Sequence, residues 1–280
     1  MKKIILLSLI LIPCALLLGV YDDYQSSARA RGMGGAFVGV ANDVNTIFFN
    51  PAGLADLGYE AKVGFAQLNG EKFSEYKTLA LGAKLPKWFG TLGVGVRMLD
   101  VDFEDTTLLG EQIFSLSHAI TLQEDIHSTI NFGYNVNYYN LGFDDDDSDD
   151  AFGFDLGVTA LLHTRTKLGF AITNLGKAKM GFENQIKLPS TMAMGLSYMP
   201  YDGVTTSLEV KKDFAESTEF MGGVEARLFE PLYLRFGVHQ NPATYSAGAT
   251  FVVEGISLDY AFTYHSVLNP THYLNLGYKF

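Results

Sequence analysis

The sequence predicts an all-β chain: a transmembrane antiparallel β-barrel of about fourteen strands, with an N-terminal hatch or plug inside its lumen. Three observations predict it. The chain opens on a leader of the exported kind, its body alternates apolar and polar residues in one segment after another, and the polar face of those segments is crowded with glycine.

The leader comes first. Lys2 and Lys3 precede an apolar run from Ile4 to Leu18, broken only by Ser8 and Pro13; a charged n-region and a short h-region make a signal peptide. A membrane-spanning helix would need roughly 20 apolar residues. Residues 1–19 are therefore assigned to a cleaved signal, with the cut near Gly19 and Val20. Cys14 is the one cysteine. Pro13 directly before it and the greasy Ala15–Leu18 after it argue against a lipidated cysteine. Without Cys14 the mature chain has no disulfides. Nothing after Leu18 reads as a transmembrane helix, so only a barrel could place this chain in a membrane, where every backbone polar group must be paired internally.

Residues 20–58 do not alternate. They are too irregular to face lipid, yet they hold Phe37, Val38, Ile47, Phe48 and Phe49, which need cover. An inward hatch supplies it. Asn50-Pro51-Ala52-Gly53 reads as a turn or short helix start leading into the first strand.

Residues 59–280 form the barrel. Segments of period two run over 60–67, 74–85, 91–103, 112–122, 126–140, 151–162, 167–174, 190–199, 203–212, 217–228, 232–239, 244–253, 256–265 and 271–280. An even number suits a single-chain bacterial barrel. In 126–140 the residues Ile126, Ser128, Ile130, Phe132, Tyr134, Val136 and Tyr138 share one face, and Thr129, Asn131, Gly133, Asn135 and Asn137 share the other. With the N-terminus on the periplasmic side, every second connection is a short turn, while the opposite set includes the two longest, 141–150 and 175–189. That asymmetry belongs to outer-membrane barrels, and places the C-terminus in the periplasm.

A soluble β-sandwich would bury the apolar face as its core. Three features oppose it. The polar face carries Gly64, Gly82, Gly93, Gly95, Gly133, Gly153, Gly157, Gly169, Gly195, Gly223, Gly237, Gly248 and Gly277, whereas Gly222 alone is clearly on the apolar face. Glycine costs a strand about 0.5–1 kcal/mol against alanine, which a crowded lumen repays by letting another backbone approach. The apolar face reads as free of charge, as a bilayer demands. Aromatic residues such as Trp88, Phe89, Tyr201 and Tyr278 gather at strand ends, as interfacial girdles do.

The polar face places Arg97, Asp155, Glu209, Lys211, Glu219, Glu225, Arg227, Arg235 and Asp259 in the lumen, with cross-strand pairs expected between Glu225 or Glu209 and Arg227 or Arg235. These charges either brace the wall and hold the hatch, or act as a selectivity site. Six aspartates crowd 141–150. A solvated loop is the favoured reading; a divalent cation on Asp144, Asp146 and Asp149 is the weaker one, because the glycine of a calcium loop is missing. Loop 175–189, with Lys179, Met180 and Phe182, is the first choice for anything that docks from outside. His118 falls on the lipid face. Ser115 and Ser117 face the other way, so it lacks a nucleophile of the membrane-phospholipase kind and suits a rim or a partner contact. No G-x-S-x-G, zinc spacing or phosphate loop is present, so no enzyme and no cofactor are expected. A net charge of −11 and a pI of 4.9 would repel nucleic acid.

Two stretches resemble known families. Tyr273-Leu274-Asn275-Leu276-Gly277-Tyr278-Lys279-Phe280 is similar to the C-terminal signal by which barrel-assembly machinery recognises outer-membrane proteins. The block Arg31-Gly32-Met33-Gly34-Gly35-Ala36-Phe37-Val38, followed by Ala41-Asn42-Asp43 and by Asn50-Pro51-Ala52-Gly53-Leu54, resembles the opening of FadL-type long-chain fatty acid transporters and their PorV/PorQ relatives. It is closer to the second branch. The resemblance spans about thirty residues and implies a fourteen-stranded outer-membrane barrel with an internal hatch. It implies two functions: passive passage of a small hydrophobic molecule gated by the hatch, in contact with Phe37, Val38, Phe48, Phe49, Asn50 and Pro51, or a non-conducting part in type IX-like protein secretion or surface assembly. The expected surroundings are outer-membrane lipid, and either a hydrophobic small molecule or secretion-system proteins. An open diffusion pore is the remaining alternative.

Overall fold

The computed structural model describes residues 21, 27–71, 73–103, 106–143, 147–180, 186–214 and 217–280. The signal-peptide expectation lies outside them, as do Asp144, Asp146 and Phe182.

Fourteen strands close into one antiparallel barrel: β1 (Glu60–Gln67), β2 (Ser74–Lys84), β3 (Thr91–Phe103), β4 (Thr106–Glu124), β5 (Ser128–Phe143), β6 (Asp147–Leu162), β7 (Thr166–Thr173), β10 (Thr191–Tyr201), β11 (Val204–Asp213), β12 (Thr218–Phe229), β13 (Leu232–Gln240), β14 (Thr244–Val253), β15 (Ile256–His265) and β16 (Thr271–Lys279). A two-residue ladder, β8 (Lys179–Met180) with β9 (Ile186–Lys187), stands apart in the longest connection. Closure comes from β1, which pairs β2 on one side and β16 on the other, with Glu60 opposite Lys279 and Val63 opposite Leu276. No edge is left in the ring, as a wall facing hydrocarbon requires.

The alternation decides what each face meets. Outward residues are large, apolar and uncovered: Leu208 and Phe236 are each 65% exposed, and Phe152, Phe154, Tyr245 and Phe262 also lie bare. A belt of that extent is a liability in water and the natural surface in lipid. Phe132, Phe154 and Phe262 share no central core, which disposes of the sandwich. Inward residues are small and polar, among them Ser115, Ser117, Asn131, Asn135, Asn137, Thr159 and Ser207, all buried.

Two expectations need correction. The outer face does carry charge at its loop end: Glu75, Lys77 and Asp100 face outward on β2 and β3, where Lys77 Nζ lies 2.8 Å from Glu75 and 3.6 Å from Asp100. Such a cluster is tolerated beyond the hydrocarbon, at the height where water begins. The strands also run further than their apolar rhythm. β4, β5 and β6 have 19, 16 and 16 residues, so that 141–143 and 147–150, expected in a loop, belong to β5 and β6. Above the belt the polarity inverts: Leu109, Ile113, Leu141 and Ala151 point inward, packed on one another, while Gln112, Asn140 and Asp150 point outward. An alternation read for one apolar face loses the thread where the faces exchange roles.

Residues 27–57 lie inside the ring and touch all fourteen strands. Ser27 caps a single helical turn, Ala28–Gly32. Asp43 caps the 3-10 turn Val44–Phe48 through Asn45 N–H, and Asn50 caps Pro51–Asp56 through Ala52 N–H, with Pro51 at the first position. Short side-chain oxygens suit these orphan amides, and proline has no amide to leave unpaired.

Candidate functional site: a filled lumen and the chamber above it

The inner segment approaches the wall backbone to backbone, and glycine makes that possible. A Cβ on Gly133 would sit 2.5 Å from Ala52 N, and one on Gly237, Gly223 or Gly169 would overlap Gly34, Met33 or Val38 main-chain atoms. Gly195 stands in the same relation to Gly39, whereas a Cβ on Gly157 would meet the Asn50 side chain first and Ala52 N at 3.1 Å. Polar side chains of the wall complete the contact. Val38 N–H donates to Glu209 Oε2 at 2.8 Å, Ser197 Oγ to Gly39 O at 2.9 Å, and Asn50 Nδ2 to Val158 O at 3.1 Å.

Two sides of the lumen hold the segment differently. On β4–β6 the lining is mostly uncharged and gathers on one carboxylate: Ser115 and Ser117 hydroxyls donate to Asn137 and Asn135 at 2.7 and 2.6 Å, and both amides donate to Asp155 Oδ2 at 2.7 and 2.9 Å. Asn135 Nδ2 also reaches Ile47 O at 2.9 Å. Toward the turn end of β12–β16 the lining is ionic. Arg29 grips Glu225 through Nε and Nη2, both at 2.8 Å, and Asp43 at 3.1 Å. Arg235 Nε meets Glu225 at 2.5 Å. Lys62 bridges Asp43 and Asp259 at 3.2 and 3.1 Å, and Thr250 links Arg235 to Asp259. All these charges are buried apart from a fringe of Arg29. Burial alone would raise the Asp43 carboxyl, but Lys62 and Arg29 outweigh it and hold the group below the ordinary carboxylate range.

The residues singled out in the sequence divide accordingly. Phe37 is fully buried, edge-on to Phe49 at 5.2 Å and beneath the Arg29 guanidinium. Phe48 lies under Arg97 at 5.2 Å. Of the expected pairs Glu225 takes Arg235; Glu209 instead serves the Val38 amide, and Arg227 sits at the turn rim with Glu230 at 3.5 Å. Lys211 approaches Glu219 at 3.7 Å, and Glu219 also meets His239 at 2.9 Å. Lys179 is exposed, whereas Met180 turns inward and is buried against Ile113, Tyr139 and Leu188. His118 does face outward: its Nε2 lies 2.7 Å from Phe89 O, closing the turn 85–90 against the wall. Among the described residues no three metal-ligating side chains stand together.

Above the segment, toward the loop end, a chamber of about 100 Å³ opens. Its walls include Tyr21, Phe48, Tyr76, Leu99, Ile113 and Tyr139, with Arg97, Glu111 and Asp155 as its charged members. Tyr21 N–H donates to Glu111 Oε1 at 3.0 Å, and the Tyr21 ring stands edge-on to Tyr139 at 5.2 Å. Sequence reasoning missed Tyr21, Glu111, Tyr139, Arg29, Asp43 and Lys62 as site residues. Lys62 was readable, being a charge on the polar face of 60–67. Glu111 fell just outside its segment as drawn.

No family model matches the chain, and no curated protein does. Solved structures do. The toluene transporter TbuX of Ralstonia pickettii superposes with a TM-score of 0.63 at 14% identity, covering 90% of this chain and 97% of that one. The toluene transporter TodX of Pseudomonas putida gives 0.60 at 12%, over 93% and 98%. A FadL homologue of Pseudomonas aeruginosa gives 0.59 at 11%, over 91% and 98%. At these identities the likeness is one of fold: a fourteen-stranded barrel of the kind found in outer-membrane transporters.

Proposed function

We propose that this chain is an outer-membrane barrel for passive passage of small hydrophobic molecules, with residues 20–58 acting as the hatch that gates it. One observation carries the reading. Above the belt the inner wall gains apolar residues, and beneath them a chamber walled by Tyr21, Phe48, Tyr76, Leu99, Ile113 and Tyr139, with Arg97, Glu111 and Asp155 among them, rests on the inner segment, a concave and partly aromatic site of the kind that takes a small ligand. The fold shared with toluene transporters and a FadL homologue supports it. The short turns then face the periplasm, and Phe280 is the residue offered to the assembly machinery.

Uptake tests the proposal. Cells carrying the intact chain are expected to take up a hydrophobic probe such as toluene faster than cells lacking it, and deletion of residues 21–50 should change that rate. Uptake that ignores both the chain and the deletion overturns it. The second reading, a non-conducting secretion or surface-assembly component, draws on the inner segment's contacts with every strand of the ring and on the PorV/PorQ-like opening block. A stoichiometric protein partner recovered from native membranes, with no probe uptake, would favour it.

A further inference from the structure

We infer that the chamber selects small aromatic molecules bearing a hydrogen-bond donor or a positive charge, and disfavours carboxylates; this rests on the transport reading above. The charge count is the first ground. Among the described residues, two carboxylates, Glu111 and Asp155, face one guanidinium, Arg97. Asp155 is buried and accepts from Asn135 Nδ2, Asn137 Nδ2 and Asn174 N–H, so three donors converge on its carboxyl oxygens. Arg97 is turned onto the Phe48 ring. An incoming anion would therefore meet excess negative charge within a few ångströms, and like charges repel.

The second ground is the occupant already present. Tyr21 places an aromatic ring edge-on to Tyr139 and gives its N–H to Glu111. A ring with an adjacent N–H donor is thus what these walls accept, and an arylamine reproduces both contacts. Electron-rich faces of Tyr76 and Tyr139 add attraction for an ammonium group. Size agrees: an engineered cavity of about 150 Å³ takes benzene, so about 100 Å³, enlarged by withdrawal of the Tyr21 ring, suits one ring and excludes a long acyl chain.

Three probes of similar size separate the possibilities: toluene, benzylamine and benzoate, measured by equilibrium dialysis near neutral pH with the full mature chain in lipid nanodiscs and empty discs as blank. Benzylamine is expected to bind tightest and benzoate weakest. Glu111→Gln should reduce the benzylamine-to-toluene affinity ratio about tenfold, the worth of one charge-assisted hydrogen bond. Benzoate binding as tightly as benzylamine overturns the inference, and the wild-type ranking gives that answer whether or not the variant folds. Toluene matching benzylamine, with a ratio unmoved in the variant, overturns the inference and leaves the transport reading standing. Binding of none of the three overturns the transport reading and the inference with it.

Discussion

The two sides of the lumen do one task with different chemistry. On β4–β6 a ladder of serine hydroxyls and asparagine amides holds the inner segment through neutral hydrogen bonds and one carboxylate. On β12–β16, with Lys62 of β1, the same segment is held by Arg29 and Asp43 meeting Glu225, Arg235, Asp259 and Lys62. A neutral pair can be lost at the cost of one unmet hydrogen bond, whereas a buried ion pair that loses a partner leaves a bare charge. The ionic side therefore fixes where the segment sits. The amide side, beneath the chamber, holds it chiefly through uncharged donors, with Asp155 as the carboxylate at the centre of that ladder.

Single substitutions rank the two sides. Glu225→Ala takes the shared carboxylate from Arg29, which keeps Asp43, and from Arg235, which keeps Thr250, and is expected to cost about 3–5 kcal/mol, read as a fall in the denaturant midpoint of the protein folded into bilayers. Next comes the glycine wall. Gly237→Ala drives a methyl group into the Gly34 main chain, an overpacking worth about 1–3 kcal/mol, and should open the inner segment to protease while the barrel persists. Asn137→Ala removes its bonds to Ser115 and Asp155 and should cost about 1–2 kcal/mol. Lys77→Ala, in the half-exposed outer cluster, should shift the midpoint by less than about 0.5 kcal/mol. If Asn137→Ala proves as damaging as Glu225→Ala, the contrast between the sides fails.

Much of this architecture is legible in the sequence because a lipid belt and a crowded lumen impose opposite demands on alternate residues. Strands such as β1, β14 and β15 lie where the period of two puts them, at 60–67, 244–253 and 256–265. The glycines were legible for the same reason, since a wall that must admit another backbone cannot carry side chains at those points. What stayed hidden was set by tertiary height and by the inner segment. The exchange of apolar faces above the belt disguised the tops of β4–β6 and turned an aspartate-rich hairpin into an apparent loop. Arg29 and Asp43 carry no local signal of their partners, because Glu225 lies 196 residues from Arg29 and only barrel closure brings Lys62 beside Asp259. Tyr21 stood in a stretch with no periodicity at all.

Residues 27–57 pack inside the ring against the glycine wall. A Cβ placed on Gly32 would stand 3.3 Å from Gly248 Cα, and one on Gly248 would stand 3.3 Å from Gly32 Cα, so the two positions face each other directly across the seam between the inner segment and β14. In a Cys14→Ser background the pair Gly32→Cys and Gly248→Cys should therefore oxidise spontaneously in the folded, membrane-inserted protein, losing two thiols to maleimide and about 2 Da in mass. Gly32→Cys paired with Gly58→Cys, whose surroundings are open, should stay reduced. Two freely labelled thiols at 32 and 248 in a barrel of native stability would contradict the account.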